Sequence, residues 1–377
     1  MSQERSKNWL PYVLAVLGVV CFGIVLVKQK KPVAVAAPAR VVVPVDAGFK
    51  PAPRETVPVP DVVATTPVAS KRRVVMISVD GLSSALVAKM PHLSKMFAEG
   101  AGTLKALVPL GATTATSHAM LFTGADPNVS GVMCEPSECK DDGYTKADGV
   151  HSPNFRWRPL KVKDTLFTAI ESAGYKAVAA VQKGKLVAFF RPSSDETGII
   201  STNDTQQVVS TGCAAVQDDK TRLVVLHLKM IDHAGHAHGW LSEQQVGEAS
   251  TIDDQLQQVR DCIDRANAAS SSPSTVLIVT SDHGGKPGWR PNGRPYEHGH
   301  NDDDNRLVPW IAVGPGIKKG HEIAGRSDLA PIRAGSITPA ILLVDTVPTI
   351  LRYIGVSTSS IPTLSKHATS VDEIFSP

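Results

Sequence analysis

The chain has 377 residues, of which 42% are hydrophobic and 20% are charged, and its formal net charge at neutral pH is +3. This balance is that of an ordinary globular protein with room for a large core. The basic residues only slightly outnumber the acidic ones, and they are scattered along the chain and not interleaved with aromatic residues. We therefore expect no nucleic-acid partner.

An uncharged apolar run, WLPYVLAVLGVVCFGIVLV, occupies residues 9–27 and follows a short tail, residues 1–8. The run is long enough to cross a bilayer as one helix and exceeds the usual core of a signal peptide. The small-residue sequence AVAAPA lies downstream, which leaves a cleaved signal peptide as the alternative. We predict an uncleaved, single-pass transmembrane helix that makes the membrane a partner of the protein.

Two features of the sequence disagree on the orientation of this anchor. The basic sequence KQKK follows the run, and by the positive-inside rule it would place the rest of the chain in the cytoplasm. The cysteines beyond the run form an even set, which is compatible with two disulfides in an oxidising compartment, although buried free thiols are also possible. We expect an extracytoplasmic domain, periplasmic or extracellular. The cysteines concerned are Cys134, Cys139, Cys213 and Cys262.

Residues 28–71 are rich in proline, alanine and valine, and the remaining residues, 72–377, are predicted to form one catalytic domain. Frequent prolines forbid a helix and disfavour a central strand, so residues 28–71 are predicted to be an extended linker. The domain begins with the apolar, β-branched run Val74–Val79, which suits a fully buried strand.

Strand-like and helix-like segments then alternate along the chain. The segment VKDTLFTAIESAGYKAVAAV predicts a capped helix, a glycine turn and a strand. TRLVVLHLKM and STVLIVTSD predict two buried strands, separated by a long amphipathic helix that starts near SEQQVGEAS. RLVPWIAVGPGI predicts another strand. This alternation predicts an α/β fold with a mostly parallel sheet and helices on both faces.

Acidic and imidazole residues follow three of the predicted strands. In an open α/β sheet, sites form at this edge. Carboxylates mixed with imidazoles suit zinc or a similar divalent ion, and two such ions can hold the attacking and leaving oxygens of a phosphoryl transfer. The residues are Asp80, Asp232, His236, Asp282 and His283.

A candidate nucleophile lies in the stretch LVPLGATTATSHAMLFTGADPNVSGV, which predicts a strand, a hydroxyl-rich turn and a short helix at SHAMLFTG. A threonine before a helix meets free backbone N–H groups and a dipole that favour a phosphate. A metal ion would also favour the ionised hydroxyl. The alternative is that serine and threonine at such positions only cap the helix.

Together these stretches resemble the alkaline phosphatase superfamily, and within it the type I phosphodiesterase/nucleotide pyrophosphatase group. The resemblance spans about residues 73 to 356. Its ordered motifs are SVDGL, TTATSHAMLFTG, DHAGHAHGW, SDHGG, EHGHNDDDNRLVPWIAVGPGIKKG and VDTVPTILRYIGV.

The resemblance implies two divalent metal ions, expected to be zinc, and a set of ligands for each. Spacing favours His298 as the last ligand of the second set, with His300 as the alternative. One ion is assigned Asp80, Thr114, Asp282 and His283, and the other is assigned Asp232, His236 and His298. Two neighbouring histidines are expected to be bystanders or to support ligands: His233 and His238.

The resemblance also selects the nucleophile. Thr114 is preferred to Thr113 and Thr116 because it lies four residues before His118, as in the threonine–x–x–x–histidine pattern of the family. The sequence departs from the family at another position. Relatives often carry an asparagine that helps to hold the substrate phosphate, and this chain has Glu135 at about that place. The sulfatase pattern Cys-x-Pro-x-Arg is absent, because CEPSE lacks the arginine and lies too late in the chain.

These observations predict a membrane-anchored, two-metal hydrolase of small phosphate esters that acts through a phospho-threonine intermediate. The phosphodiesterase or nucleotide pyrophosphatase form ranks first, and a phosphomonoesterase is the alternative. A related transferase or phosphonate hydrolase ranks lower. The alternative from a different class of function is a catalytically inactive, anchored binding domain. It is kept because fold does not imply function.

Overall fold

The computed structural model describes residues 71–108, 113–132, 160–190, 198–271, 274–288, 297–299, 301–329 and 337–377. The predicted anchor at residues 9–27 and nearly all of the predicted linker lie outside these ranges. Within these ranges, no helix has both the length and the apolar character that are needed to cross a membrane.

One sheet organises the described residues, and it contains nine strands. Most are short and strongly apolar, and four of them, including the first strand of the chain, are buried along their whole length. The strands are β1 (Arg73–Val79), β2 (Ala101–Leu107), β3 (Lys176–Val181), β4 (Ile199–Ser201), β5 (Thr221–Leu228), β6 (Thr275–Thr280), β7 (Leu307–Val313), β8 (His321–Glu322) and β9 (Ile341–Leu342).

The strands lie in the order β4-β3-β5-β1-β6-β7-β2-β8, with β9 beside β2. β1 is central and pairs in parallel with β5 and β6, and β3 continues the parallel run toward β4. Only β7, among the described strands, runs antiparallel to both of its neighbours, β6 and β2. The predicted mostly parallel sheet is therefore confirmed, with one reversed strand.

The reversed strand contains a proline, which would normally disrupt an interior strand because it has no N–H group to donate. Pro309 lies opposite an irregularity in β2, where the pairing register shifts between Thr103 and Ala106. On the other side, the pairing with β6 ends at Thr280 and Trp310. The proline is thus placed where neither neighbouring strand requires its missing donor.

Helices cover both faces of the sheet, as predicted. The alternating side chains of β1 separate into two apolar clusters: Val74 and Met76 face one, whereas Val75 and Ile77 face the other. The helices are α1 (Ser84–Val87), α2 (Pro91–Glu99), α3 (Thr114–Thr123), α4 (Pro127–Ser130), α5 (Leu166–Ser172), α6 (Thr205–Ala215), α7 (Met230–His238), α8 (Glu243–Ala269), α9 (Asp303–Arg306) and α10 (Thr346–Ile354). Residues of α3, α5 and α10 join the first cluster, and residues of α2, α6 and α8 join the second.

The start of α3 differs from the expectation. The helix begins at Thr114, with Thr113 as its N-cap, rather than at Ser117. Threonine has a low helix propensity, which is why the sequence favoured a turn here, but every residue of α3 is buried and packing outweighs that preference. Thr114 therefore occupies the first turn of a helix and not a turn before it.

Two of the four cysteines that lie beyond the predicted anchor form a disulfide within the described residues. Cys213 on α6 is bonded to Cys262 on α8, and the two residues are 49 positions apart in the sequence. The bond joins two helices that cover the same face of the sheet. The other two cysteines, Cys134 and Cys139, lie outside the described ranges.

Candidate active site

The candidate site lies at one edge of the sheet, where five strands end. β1, β3, β5 and β6 are parallel to one another, and β2 has the same direction because β7 runs against both β2 and β6. Each of these five strands is followed by a residue of the site: Asp80, Thr114, Lys183, Asp232 and Asp282.

Asp80 comes directly after β1 and is fully buried. The next residue, Gly81, has φ +74, and a Cβ atom there would lie 2.8 Å from the Cα atom of Asp232. The backbone N–H of Asp232 donates to the carbonyl oxygen of Asp80 at 3.0 Å. The glycine in SVDGL thus lets two acidic residues from separate strand ends come into contact.

The stretch MIDHAGHAH after β5 forms the helix α7, which puts Asp232 and His236 one turn apart on the same side. His236 Nε2 lies 3.2 Å from Asp232 Oδ1, and His298 Nε2 lies 3.8 Å from the same oxygen. Ligand atoms of these three residues lie within 4.8 Å of one another. His233 and His238 point elsewhere on the helix and are exposed.

Asp282 and His283 follow β6, and each is held by one atom so that its other atom faces the site. Asp282 Oδ1 accepts hydrogen bonds from the backbone N–H groups of Gly81 and His283 at 3.2 and 3.1 Å. His283 Nδ1 donates to the carbonyl oxygen of Gly284 at 2.9 Å. In the neutral imidazole this bond keeps the proton on Nδ1, so that Nε2, which faces inward, is the atom that could bind a metal ion.

Four buried atoms of these residues have no hydrogen-bond partner among the described residues. His283 Nε2 lies 3.4 Å from both Asp80 Oδ1 and Asp282 Oδ2, and 3.8 Å from Asp232 Oδ1. Buried polar atoms without partners are costly. Their mutual approach, with carboxylate and imidazole donors alone, fits divalent metal ions. The atoms are Asp80 Oδ1, Asp232 Oδ1, Asp282 Oδ2 and His283 Nε2.

The structure thus brings all of the sequence-predicted ligands that it describes to one place. Asp232 is common to two candidate ligand groups, one with His236 and His298 and the other with Asp80 and His283. Two further residues of the sequence analysis, His300 and Glu135, lie outside the described ranges.

Lys183 is a site residue that the sequence analysis missed. It follows β3 and precedes a 3-10 helix, Gly184–Phe189. Its Nζ atom donates to Thr114 Oγ1 at 3.1 Å and to Asp232 Oδ2 at 2.8 Å, and it lies 2.7 Å from Asp80 Oδ2. The sequence did offer a signal, because QKGK follows a predicted strand, but a lysine at such a position is most often solvated.

Two further buried histidines support the site. His227 lies in β5; its Nε2 donates to Asp80 Oδ2 at 3.0 Å and its Nδ1 accepts from the backbone N–H of Gln182 at 3.3 Å. His118 Nδ1 donates to the carbonyl oxygen of Thr114 at 2.7 Å, and its Nε2 accepts from Ser78 at 2.8 Å. The four-residue spacing between Thr114 and His118 therefore fixes the first turn of α3.

The indole ring of Trp240 packs beside the imidazoles of the site. Its ring centroid lies 5.6 Å from that of His236 and 6.0 Å from that of His298, and its indole N–H donates to the carbonyl oxygen of Glu297 at 3.0 Å. A Cβ atom on Gly285 would lie 1.9 Å from the Trp240 ring. The second glycine of SDHGG is therefore required for the indole to lie against the site.

The charges of the site shift the pKa values of its residues in opposite directions. Burial alone would raise the pKa of Asp80 and Asp232, but the Lys183 ammonium and neighbouring imidazoles hold both pKa values below their usual range. Burial and the charge of Asp80 raise the pKa of Asp282. Burial would lower the pKa of His283, but the surrounding carboxylates, chiefly Asp282, raise it to about 9.

Residues 74–296 match the model of one protein family, described as type I phosphodiesterase/nucleotide pyrophosphatase. The match covers more than half of the chain, including the strand ends that carry Asp80, Thr114, Asp232 and Asp282. The chain belongs to this family. It is accordingly a hydrolase of phosphoric ester bonds. The family is metal-dependent, in agreement with the Asp and His clusters at the edge of the sheet.

Solved structures of other proteins share this fold. Murine ectonucleotide pyrophosphatase/phosphodiesterase 5, in an inactive threonine-to-alanine form in complex with AMP, shares 15% identity with a TM-score of 0.54. The human protein of the same name shares 14% identity with a TM-score of 0.56. Both comparisons cover 81% of this chain and 100% of the other chain. No curated protein sequence matches the chain.

We expect His298→Ala to lower metal content and activity together, because an open metal site that lacks one ligand binds its ion weakly. Metal content would be measured by elemental analysis after dialysis against trace Zn²⁺, with His300→Ala as the matched control. The reverse result, with metal lost in His300→Ala and retained in His298→Ala, would show that the ligand is misassigned.

We expect metal affinity to rise with pH up to about 9 and then to level off, because the pKa of His283 is raised to about 9 in the metal-free protein. A metal-bound imidazole must be neutral, so binding below that pH releases a proton. One released proton changes the apparent affinity by about tenfold per pH unit. Titration calorimetry of Zn²⁺ in buffers of different ionisation enthalpy counts the protons. Binding without proton release between pH 7 and 8 would contradict the expectation.

Proposed function

We propose that the protein is a two-metal phosphodiesterase of the nucleotide pyrophosphatase type, with Thr114 as its nucleophile. The observation that carries the proposal is the inward-facing set of unpartnered carboxylate and imidazole atoms beside a buried threonine hydroxyl at a helix start. One ion, expected to be zinc, would be held by Asp80, Asp282 and His283 with Thr114. The other would be held by Asp232, His236 and His298.

The bound ions would polarise the phosphoryl oxygens and favour the ionised form of the Thr114 hydroxyl. The Thr114 hydroxyl releases its proton to solvent, its oxygen attacks phosphorus, the ester P–O bond breaks, and the leaving oxygen takes up a proton from solvent. The result is phospho-threonine, in which the phosphorus keeps the second ester group when the substrate is a diester. A water molecule next attacks the same phosphorus, the bond to the threonine oxygen breaks, and Thr114 regains its proton. One water is consumed, and an alcohol and a phosphate product are released.

The chain itself keeps Thr114 in place for this attack. His118 holds the carbonyl oxygen of Thr114 from one side, and Lys183 donates to its hydroxyl oxygen. The hydroxyl lies in the first turn of α3, where free N–H groups and the helix dipole favour a phosphate. The inactive threonine-to-alanine form of the murine neighbour, which holds AMP, supports a threonine nucleophile and a nucleotide-type ester as substrate.

A phosphomonoesterase of the same superfamily is the second candidate. It is favoured by one observation, the Lys183 ammonium beside Thr114, because an additional positive charge suits a phosphoryl group with two negative charges.

We expect Thr114→Ala to bind metal normally and to lose most turnover, with a rise in the barrier on the order of several kcal/mol. Thr114→Ser keeps an oxygen and should retain part of the activity. Thr113→Ala and Thr116→Ala are matched controls in the same turn and should do far less harm. Acid quench and mass spectrometry should locate the phosphoryl group on Thr114, together with its retained ester group when a diester is the substrate. Phosphate on Thr113, Thr116 or Ser117, or full activity in Thr114→Ala, would refute the assignment.

We also propose that residues 9–27 anchor the protein in a membrane, with the catalytic domain on the extracytoplasmic side. The uncharged run and the proline-rich linker motivate the anchor. The Cys213–Cys262 disulfide supports an oxidising compartment, because cytosolic proteins rarely keep such bonds.

A reporter fused to the C-terminus is expected to be active only outside the cytoplasm, and the protein should stay with the membrane fraction after a high-salt wash. A fusion that is active only in the cytoplasm would contradict this orientation, and the basic sequence KQKK makes that the informative alternative.

A further inference from the structure

The side chain of Lys183 contacts the proposed nucleophile as well as the proposed metal ligands. Its ammonium group lies 3.1 Å from Thr114 Oγ1, 2.7 Å from Asp80 Oδ2 and 2.8 Å from Asp232 Oδ2. These three partners come from the ends of three different strands, and only 19% of the lysine side chain is exposed. The position of the charge is therefore fixed by the fold.

The ammonium group contacts one oxygen of each carboxylate and leaves the other available. It contacts the Oδ2 atoms of Asp80 and Asp232, whereas their Oδ1 atoms face the imidazoles of His283 and His236. Both Oδ1 atoms are buried without a hydrogen-bond partner among the described residues. Lys183 can therefore stay in place when metal ions are bound through the Oδ1 atoms.

A lysine in this position also lies within reach of the reacting group. A phosphorus atom that is attacked by Thr114 Oγ1 brings its non-bridging oxygens next to that atom, and the ammonium lies 3.1 Å from it. Lysine has three donors and a compact charge, which suit a phosphoryl oxygen. Of its three present contacts, the one to the threonine oxygen is the contact that an incoming phosphoryl oxygen can share or replace.

We propose that Lys183 binds a non-bridging oxygen of the substrate phosphoryl group and thereby favours phosphoryl groups that carry two negative charges. The proposal rests on the proposed function, since it uses Thr114 as the nucleophile. The ammonium adds one positive charge to the centre formed by carboxylates and metal ions. In a partly buried site this charge is only weakly screened, so it stabilises a dianion more than a monoanion. Phosphomonoesters and terminal phosphates are dianions at neutral pH, whereas phosphodiesters are monoanions.

The test compares Lys183→Met, which removes the charge at similar length, with Lys183→Arg, which keeps it. The full-length, Zn²⁺-loaded protein is titrated with inorganic phosphate, and kcat/KM is measured for para-nitrophenyl phosphate and for bis-para-nitrophenyl phosphate. Lys183→Met should weaken phosphate binding on the order of tenfold or more, the usual effect of losing a charged hydrogen bond. Its kcat/KM should fall more for the monoester than for the diester. Lys183→Arg should retain part of both.

Lys176→Met is the matched control, because it removes the same charge from the opposite end of β3, where the exposed lysine pairs with Asp218, and should leave both measurements at the wild-type level. Lys183→Gln is a second neutral variant, to be used if the methionine variant does not fold. Unchanged phosphate affinity and an unchanged ratio of monoester to diester hydrolysis in the neutral variants would overturn the proposal. Loss of bound Zn²⁺ in those variants would overturn it too, because Lys183 would then position the carboxylates.

These outcomes are separate from a failure of the proposed function. Phosphate titration needs no turnover, so it tests Lys183 even if the wild-type protein hydrolyses neither ester. Conversely, full activity in Thr114→Ala would refute the nucleophile and leave the effect of Lys183 on phosphate affinity unaffected.

Discussion

Mutual repulsion among three buried carboxylates is the constraint on which the candidate site depends. Asp80, Asp232 and Asp282 follow neighbouring strands, and the fold cannot separate them. Two unit charges about 4 Å apart repel by about 4 kcal/mol at the effective dielectric of a protein. Lys183 offsets part of this repulsion and lowers the pKa of Asp80 and Asp232. The pKa of Asp282 is still raised, by burial and by Asp80, so one ammonium is not enough. Divalent cations would supply the missing positive charge, so the arrangement that is unfavourable without metal suits the binding of metal ions.

The surrounding residues hold one polar atom of each candidate ligand and leave the other polar atom facing the site. Backbone N–H groups hold Oδ1 of Asp282, the Gly284 carbonyl holds Nδ1 of His283, and His227 and Lys183 hold Oδ2 of Asp80. The atoms that remain are the ones without partners. Such outer contacts orient metal ligands and set their protonation state. Close packing around these residues also explains why glycine recurs in the motifs. A side chain at Gly81 would displace Asp232, and one at Gly285 would displace the Trp240 ring.

Much of the fold could be predicted from the sequence, because buried parallel strands such as VVMISV read as continuous apolar runs and each is followed by a helix. The convergence of acidic and imidazole residues at the strand ends could be predicted for the same reason. Lys183 could not, because its role depends on three partners that are distant in sequence and meet only in the folded sheet. His227 did carry a signal, a lone imidazole inside an apolar strand, but pattern alone does not tell a ligand from a supporting residue. The start of α3 was placed three residues too late, because packing outweighed the low helix propensity of threonine.

The charges of the site are arranged asymmetrically around the shared carboxylates. The imidazoles of His236, His283 and His298, together with Trp240, lie on the side of the Oδ1 atoms. Lys183 and the first turn of α3 lie on the side of the Oδ2 atoms, and a helix N-terminus carries about half a positive charge. Neutral imidazole donors suit metal ions, whereas an ammonium and a helix N-terminus suit an anion. Under the proposed function, the fold would therefore separate cations from anion: the metal ions would bind on the imidazole side, and the phosphoryl group would lie between them and Lys183, in contact with the Thr114 oxygen.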